Sequence, residues 1–121
     1  MRMLLTTRAR LLMGAVAGCL LLGAPAHAAG LLTAANGMTV YTFDHDIGGV
    51  SSCYDACAAN WPPYLAKTGE TAMKGQTLAP RKDGSMQWAY DGKPLYFFAG
   101  DKKKGDKTGD RRGGVWHVVA Q

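Results

Sequence analysis

Two cysteines, two histidines and a scatter of carboxylates carry most of the chemistry open to this 121-residue chain. Cys53 and Cys57 form a C-x-x-x-C pair, His45 precedes it, and His117 stands near the end. Met38, Met73 and Met86 add thioethers. Thiolate, imidazole and thioether donors suit a soft ion such as Cu(I), and on a helix this spacing sets both sulfurs on one face. The same pair in an oxidising compartment defaults to a disulfide, which has no metal affinity. The disulfide is the expectation, and a copper-binding or redox-accessory site on Cys53, Cys57 and His45 is the alternative. Closing so short a loop stabilises by only about 2 kcal/mol.

The remaining chemistries fit less well. Asp44, Asp46 and Asp55, and later Asp101, Asp106 and Asp110, offer oxygen ligands to Ca²⁺, but their spacing is not that of an EF-hand loop. Hydrogen bonding to backbone amides at a strand-to-loop corner is the expected role of Asp46 and Asp101. Covalent haem attachment needs a His directly after the second Cys, and Ala58 stands there. Thiol–disulfide exchange uses C-x-x-C, one residue shorter. Hydrolysis finds neither G-x-S-x-G nor H-E-x-x-H. No catalytic residue and no cofactor are expected.

These residues sit in a frame that repeats. Moved by 55 positions, Gly37 falls on Gly92, Tyr41 on Tyr96, Phe43 on Phe98, Asp46 on Asp101, Asp55 on Asp110 and Trp61 on Trp116. Both segments read G-x-x-[V/L]-Y-x-F-x-x-D with a Trp 15 residues past the Asp. Fixed-period similarity marks a duplicated supersecondary unit, with copy one at about 31–61 and copy two at about 86–119. Residues two apart share a strand face, so Tyr41 with Phe43 and Tyr96 with Phe98 are each expected to point inward. There they build a core with Trp61 and Trp116, because buried aromatics carry large stabilisation. The rival role is an exposed carbohydrate- or peptidoglycan-binding platform.

The first 28 residues read as a signal peptide, with Arg2, Arg8 and Arg10 before the apolar run Leu11 to Leu22, and Ala26-His27-Ala28 as the cleavage pattern. The run is shorter than the roughly 20 residues of a membrane span. Val16-Ala17-Gly18-Cys19 has the outline of a lipobox, so lipid anchoring through Cys19 is the rival processing. A mature chain from Ala29 to Gln121 holds eleven Lys and Arg against nine acids, leaving +2. Lys102, Lys103, Lys104, Lys107, Arg111 and Arg112 concentrate that charge, but Asp101, Asp106 and Asp110 interrupt it. Nucleic-acid binding wants an uninterrupted basic face with exposed aromatics, so a solvated loop is expected instead.

The 93 mature residues make one small, mainly β domain. Leu31–Ala35 and Thr39–Phe43 form a hairpin through Asn36-Gly37, which suits a tight two-residue turn. Met86–Tyr90 and Pro94–Phe98 repeat it through Asp91-Gly92, and Thr77–Phe98 reads as an antiparallel meander. Ser51 or Ser52 caps a short helix over Cys53–Asn60, which Pro62-Pro63 terminates. Lys67–Gln76 and Asp101–Gly114 are loops. Val115–Val119 is a final strand, with His117 on the face opposite Trp116 and Val118 and partly exposed.

The elements YTFDHD, SSCYDACAANWPPY and DGKPLYFFAGDKKKGDKTGDRRGGVWHVV, in that order, resemble the secreted-repeat family of unknown function. Its members are also described as predicted lipoproteins with a Y-x-[FWY]-x-x-D motif. The resemblance covers nearly all of the mature chain and implies a bacterial, exported, often lipid-anchored protein. It implies no activity for any residue. The cleavage pattern downstream of the lipobox departs from the lipid-anchored form. Together these point to a periplasmic or secreted, envelope-associated, non-catalytic binding or structural module. No nucleic-acid partner and no membrane-spanning helix are expected in the mature chain.

Overall fold

The computed structural model describes residues 30–121. The expected signal peptide and the lipobox-like segment at Cys19 lie outside the described residues. Short strands dominate: β1 (Tyr41–Phe43), β2 (Gln76–Pro80), β3 (Met86–Tyr90), β4 (Lys93–Pro94) and β5 (Trp116–Val118), with one α-helix, α1 (Ala56–Asn60), between the first two and a short 3-10 turn at Arg112–Gly114 before the last. β1 pairs antiparallel with β5, Tyr41 opposite Val118 and Phe43 opposite Trp116. β2, β3 and β4 form the expected antiparallel meander.

The two copies are wired into each other. Tyr41 and Tyr96 face one another across an antiparallel bridge and exchange both backbone bonds, at 2.8 and 2.9 Å. Around that pair the hydrogen bonds repeat with the 55-residue offset. Asp44 N–H donates to the Val115 carbonyl as Ala99 N–H donates to that of Asn60, each at 2.9 Å. Tyr41 lies beside Val118 and Tyr96 lies beside Pro63. Ahead of the hairpin turns the offset becomes 56, because the first loop is one residue longer: Leu32 N–H reaches the Val119 carbonyl, and Trp88 N–H reaches that of Tyr64. The closing segment of each copy therefore pairs with the opening strands of the other.

Alternation along the central strands separates two cores. Val40 and Leu95 point into one with Leu32, Ala34 and Trp88. Their neighbours Tyr41 and Tyr96 point into the other with Cys53, Trp61 and Trp116.

Four local expectations are corrected. Asp91 and Gly92 both take positive φ, as a two-residue hairpin turn requires, but Asn36 does not. There the Ala34–Met38 pair is closed by three residues, and only Gly37 adopts positive φ, at 84°. The Asn36 side chain accepts the Met38 N–H at 2.9 Å, an Asx turn that closes the loop while Gly37 supplies the positive φ. Second, the repeated hairpin is short: after Pro94 the strand leaves β3 for Pro63 and Tyr41. Third, neither serine caps the helix, which begins at Ala56 behind Asp55 with no side-chain cap. Ser52 is committed to Asp46 and Ser51 to Tyr96 and Arg81. Fourth, Cys53 precedes the helix, so the two sulfurs do not share a helical face.

Candidate functional site

The duplicated residues converge on one cluster. Trp61 and Trp116 stack with centroids 3.8 Å apart and planes within 3°. Phe43 lies on the outer face of Trp116 at 4.1 Å, and Phe98 on that of Trp61 at 4.4 Å. Each Phe therefore packs on the Trp of the other copy. Tyr41 meets Trp61 edge-on at 5.3 Å, and Tyr96 meets Trp116 likewise at 5.2 Å. Offset-stacked and edge-to-face contacts are the favoured aromatic geometries. Gly109 makes room for the stack, since a Cβ there would come within 2.6 Å of Trp61.

The acids of the motif cross between copies as well. The Tyr41 hydroxyl donates to Asp101 Oδ2 at 2.6 Å, and the Tyr96 hydroxyl donates to Asp46 Oδ2 at 2.7 Å. The second oxygen of each carboxylate closes its own loop. Asp46 Oδ1 accepts the N–H and hydroxyl of Ser52, and Asp101 Oδ1 accepts those of Thr108. The backbone-amide role expected of Asp46 and Asp101 is thus half of what they do. Burial first, then the Asp101 hydrogen bond, pushes the Tyr41 phenol well above its ordinary value. Burial also raises Tyr96, with the Ser51 hydroxyl opposing and Asp46 adding.

Each phenol oxygen also accepts a hydrogen bond. Gly109 N–H serves Tyr41 at 3.1 Å. Because Tyr96 spends its proton on Asp46, the Ser51 hydroxyl must donate to it. Ser51 in turn accepts from the buried guanidinium of Arg81 at 3.0 Å. Arg81 also donates to Gln87 Oε1 at 2.8 Å and to the Cys53 carbonyl at 3.0 Å, with Tyr54 stacked at 4.2 Å. Gln87, fully buried, passes an N–H to the Leu95 carbonyl at 2.6 Å. A continuous hydrogen-bonded path thus joins the Arg81 cation to the Asp46 anion. Sequence reasoning missed Ser51, Arg81, Gln87, Thr108 and Gly109. One signal was present: a hydroxyl residue follows the motif Asp by six or seven positions in both copies, at Ser52 and Thr108.

Cys53 and Cys57 are joined in a disulfide, and Cys53 is buried among the rings. In that state the pair presents no thiolate. His45 does not turn to the sulfurs but lies on Phe43, 4.9 Å between centroids. His117 is partly exposed and meets Asp44, Nε2 to Oδ2 2.8 Å. That pair borders a shallow hollow of about 290 Å³ with Thr42, Tyr90 and Lys93. Among the described residues no three His, Cys, Asp or Glu side chains are placed to hold a metal ion.

This is a protein of two interlocked repeat units sharing one aromatic and carboxylate cluster. The family model for a secreted repeat of unknown function matches residues 28–64 and again 77–120, and the chain belongs to that family. No curated protein and no solved structure shows significant similarity to the chain. No helix among the described residues is long and apolar enough to cross a membrane.

Proposed function

We propose that this secreted-family protein is an envelope-associated module that works by binding or by structural support, without catalysis. The observation that carries this is how the duplicated side chains are spent. Both phenols donate hydrogen bonds to carboxylates of the opposite copy, and both Trp rings lie between other rings. General acid–base chemistry needs a side chain within reach of substrate at a suitable pKa. Tyr41 and Tyr96 are buried, and their phenols are pushed away from neutrality. The accessible Asp44–His117 pair has a threonine beside it but no serine or cysteine nucleophile lining its hollow.

Fractionation of producing cells, combined with complementation by Asp44→Asn and His117→Gln variants, tests the reading. Recovery with the envelope, and full complementation by folded variants of both kinds, is the expected result. Recovery in the cytoplasm, or lost complementation by a variant that melts like wild type, would overturn it.

A further inference from the structure

The duplication supplies an internal control for the lysine-rich loop. Residues 44–57 and 99–112 occupy equivalent positions in the two copies, and both are closed by a motif Asp that binds the opposite tyrosine. The first segment contains no Lys or Arg, whereas the second contains Lys102, Lys103, Lys104, Lys107, Arg111 and Arg112. The frame is therefore built without cations in one copy, and the folding of the loop does not require them in the other.

The acids that interrupt this run in sequence do not pair with it in space. Asp101 is buried and holds Tyr41 and Thr108. Asp106 Oδ2 accepts the backbone N–H groups of Lys102 and Lys103 at 2.8 and 3.1 Å. Asp110 Oδ1 accepts the Val118 N–H at 3.1 Å. Among the described residues, none of the six cations lies within ion-pairing distance of a carboxylate. All six are exposed. Lys102 Nζ and Arg112 Nε reach only the backbone carbonyls of Ala99 and Thr108, and the Arg112 guanidinium lies 4.8 Å from the Phe98 ring. The carboxylates thus act as internal staples that hold the loop while the cations face solvent. Six cations against three acids leave this segment at +3, while the rest of the mature chain carries −1.

We propose that the Lys102–Arg112 loop is a docking surface for a membrane bearing anionic phosphate headgroups. Lysine is a compact point charge suited to a diffuse layer of phosphates, and a basic cluster gains affinity with each cation near such a surface. A nucleic acid is the poorer fit, because residues 99–114 contain no aromatic side chain on which a base could stack, and the adjoining Phe98 ring is already packed between Trp61 and the Arg112 guanidinium. This inference names the partner of the envelope module proposed above and rests on that reading for its location. Vesicle binding is measured independently of where the cell puts the protein, so the two can fail separately.

The test is co-sedimentation of the processed protein with vesicles of phosphatidylglycerol and phosphatidylcholine, against vesicles of phosphatidylcholine alone. Taking the ratio of the two removes any contribution from a lipid anchor. We expect preference for the anionic vesicles, weakening as salt rises. Replacing Lys103, Lys104 and Lys107 together by Gln should lower the anionic partition coefficient about fivefold per cation, or roughly a hundredfold in all. The same three positions as Arg should restore it, with unchanged melting temperature in both variants. Equal partition to the two vesicle types, an unaffected triple Gln variant, or tighter binding to a duplex oligonucleotide at matched salt would each overturn the proposal.

Discussion

If the cross-copy tyrosine–carboxylate bonds lock the two repeats together, deleting one hydroxyl should unlock the domain in proportion to what that hydroxyl satisfies. Tyr41→Phe removes the 2.6 Å donor to Asp101 and the acceptor of Gly109 N–H, both buried contacts. Loss of a hydrogen bond to a charged group costs about 1.5–3 kcal/mol, and an orphaned buried N–H costs about 1–3 more. Allowing for partial rearrangement, we expect a loss of about 3 kcal/mol. Tyr96→Phe should cost less, about 2 kcal/mol, because Asp46 is only half-buried and water can replace the donor. A domain of this size shifts by about 4–8 °C per kcal/mol, so Tyr41→Phe should lower Tm by about 12–24 °C. Denaturant unfolding followed by tryptophan fluorescence reads the same loss, since Trp61 and Trp116 pack against the affected rings.

The pH dependence adds a second arm. Both phenols are raised in the folded state, so their contribution is complete below the unfolded tyrosine value of about 10 and fades as pH rises beyond it. Wild type should therefore lose stability above about pH 10 more steeply than the Tyr41→Phe/Tyr96→Phe double variant. Wild-type unfolding midpoints in both single variants, or parallel pH profiles for wild type and the double variant, would refute the lock.

Three further outcomes are expected. Replacing Cys53 and Cys57 by Ser should cost about 2 kcal/mol and leave the fold intact, as judged by circular dichroism and melting; two free thiols in air-exposed wild type would contradict it. Phe43→Ala and Phe98→Ala should cost nearly the same as each other, each about 3 kcal/mol, at the low end for a truncated Phe because both rings end the stack and are only partly buried. Arg81→Ala should cost about 3 kcal/mol by stranding Ser51, Gln87 and the Cys53 carbonyl, and an unchanged denaturation midpoint would show the network to be idle.

The repeat, most of the strands and the meander were legible because their signals are local, whereas Leu31–Ala35, expected as a strand, makes only isolated bridges at Leu31 and Thr33. Alternation marks a strand face, and Asp91-Gly92 marks a turn, without knowledge of anything distant. What lies beyond such signals is partner choice. Nothing in YTF states that it pairs with WHV rather than with the hairpin strand before it, because a three-residue strand specifies a face but not a neighbour. The helix start was misplaced for the same reason. Ser51 and Ser52 have the right chemistry for a cap, and the competing acceptors that claim them, Tyr96 and Asp46, arrive from up to 45 residues away. Arg81 stands next to Lys82-Asp83-Gly84, a local turn signal that says nothing of its side chain, and only the fold shows it buried.

The interlocked wiring has a consequence for ancestry and for division of labour. A single repeat of this design leaves its closing segment without a partner, so it would be complete only as a homodimer, two identical chains exchanging those segments about an isologous axis through the tyrosine. Such a dimer must carry the same loop twice. Joining the halves into one polypeptide lifts that constraint, since each loop now has its own codons. In this chain one loop keeps a disulfide and no cations, and its counterpart keeps six cations and no cysteine.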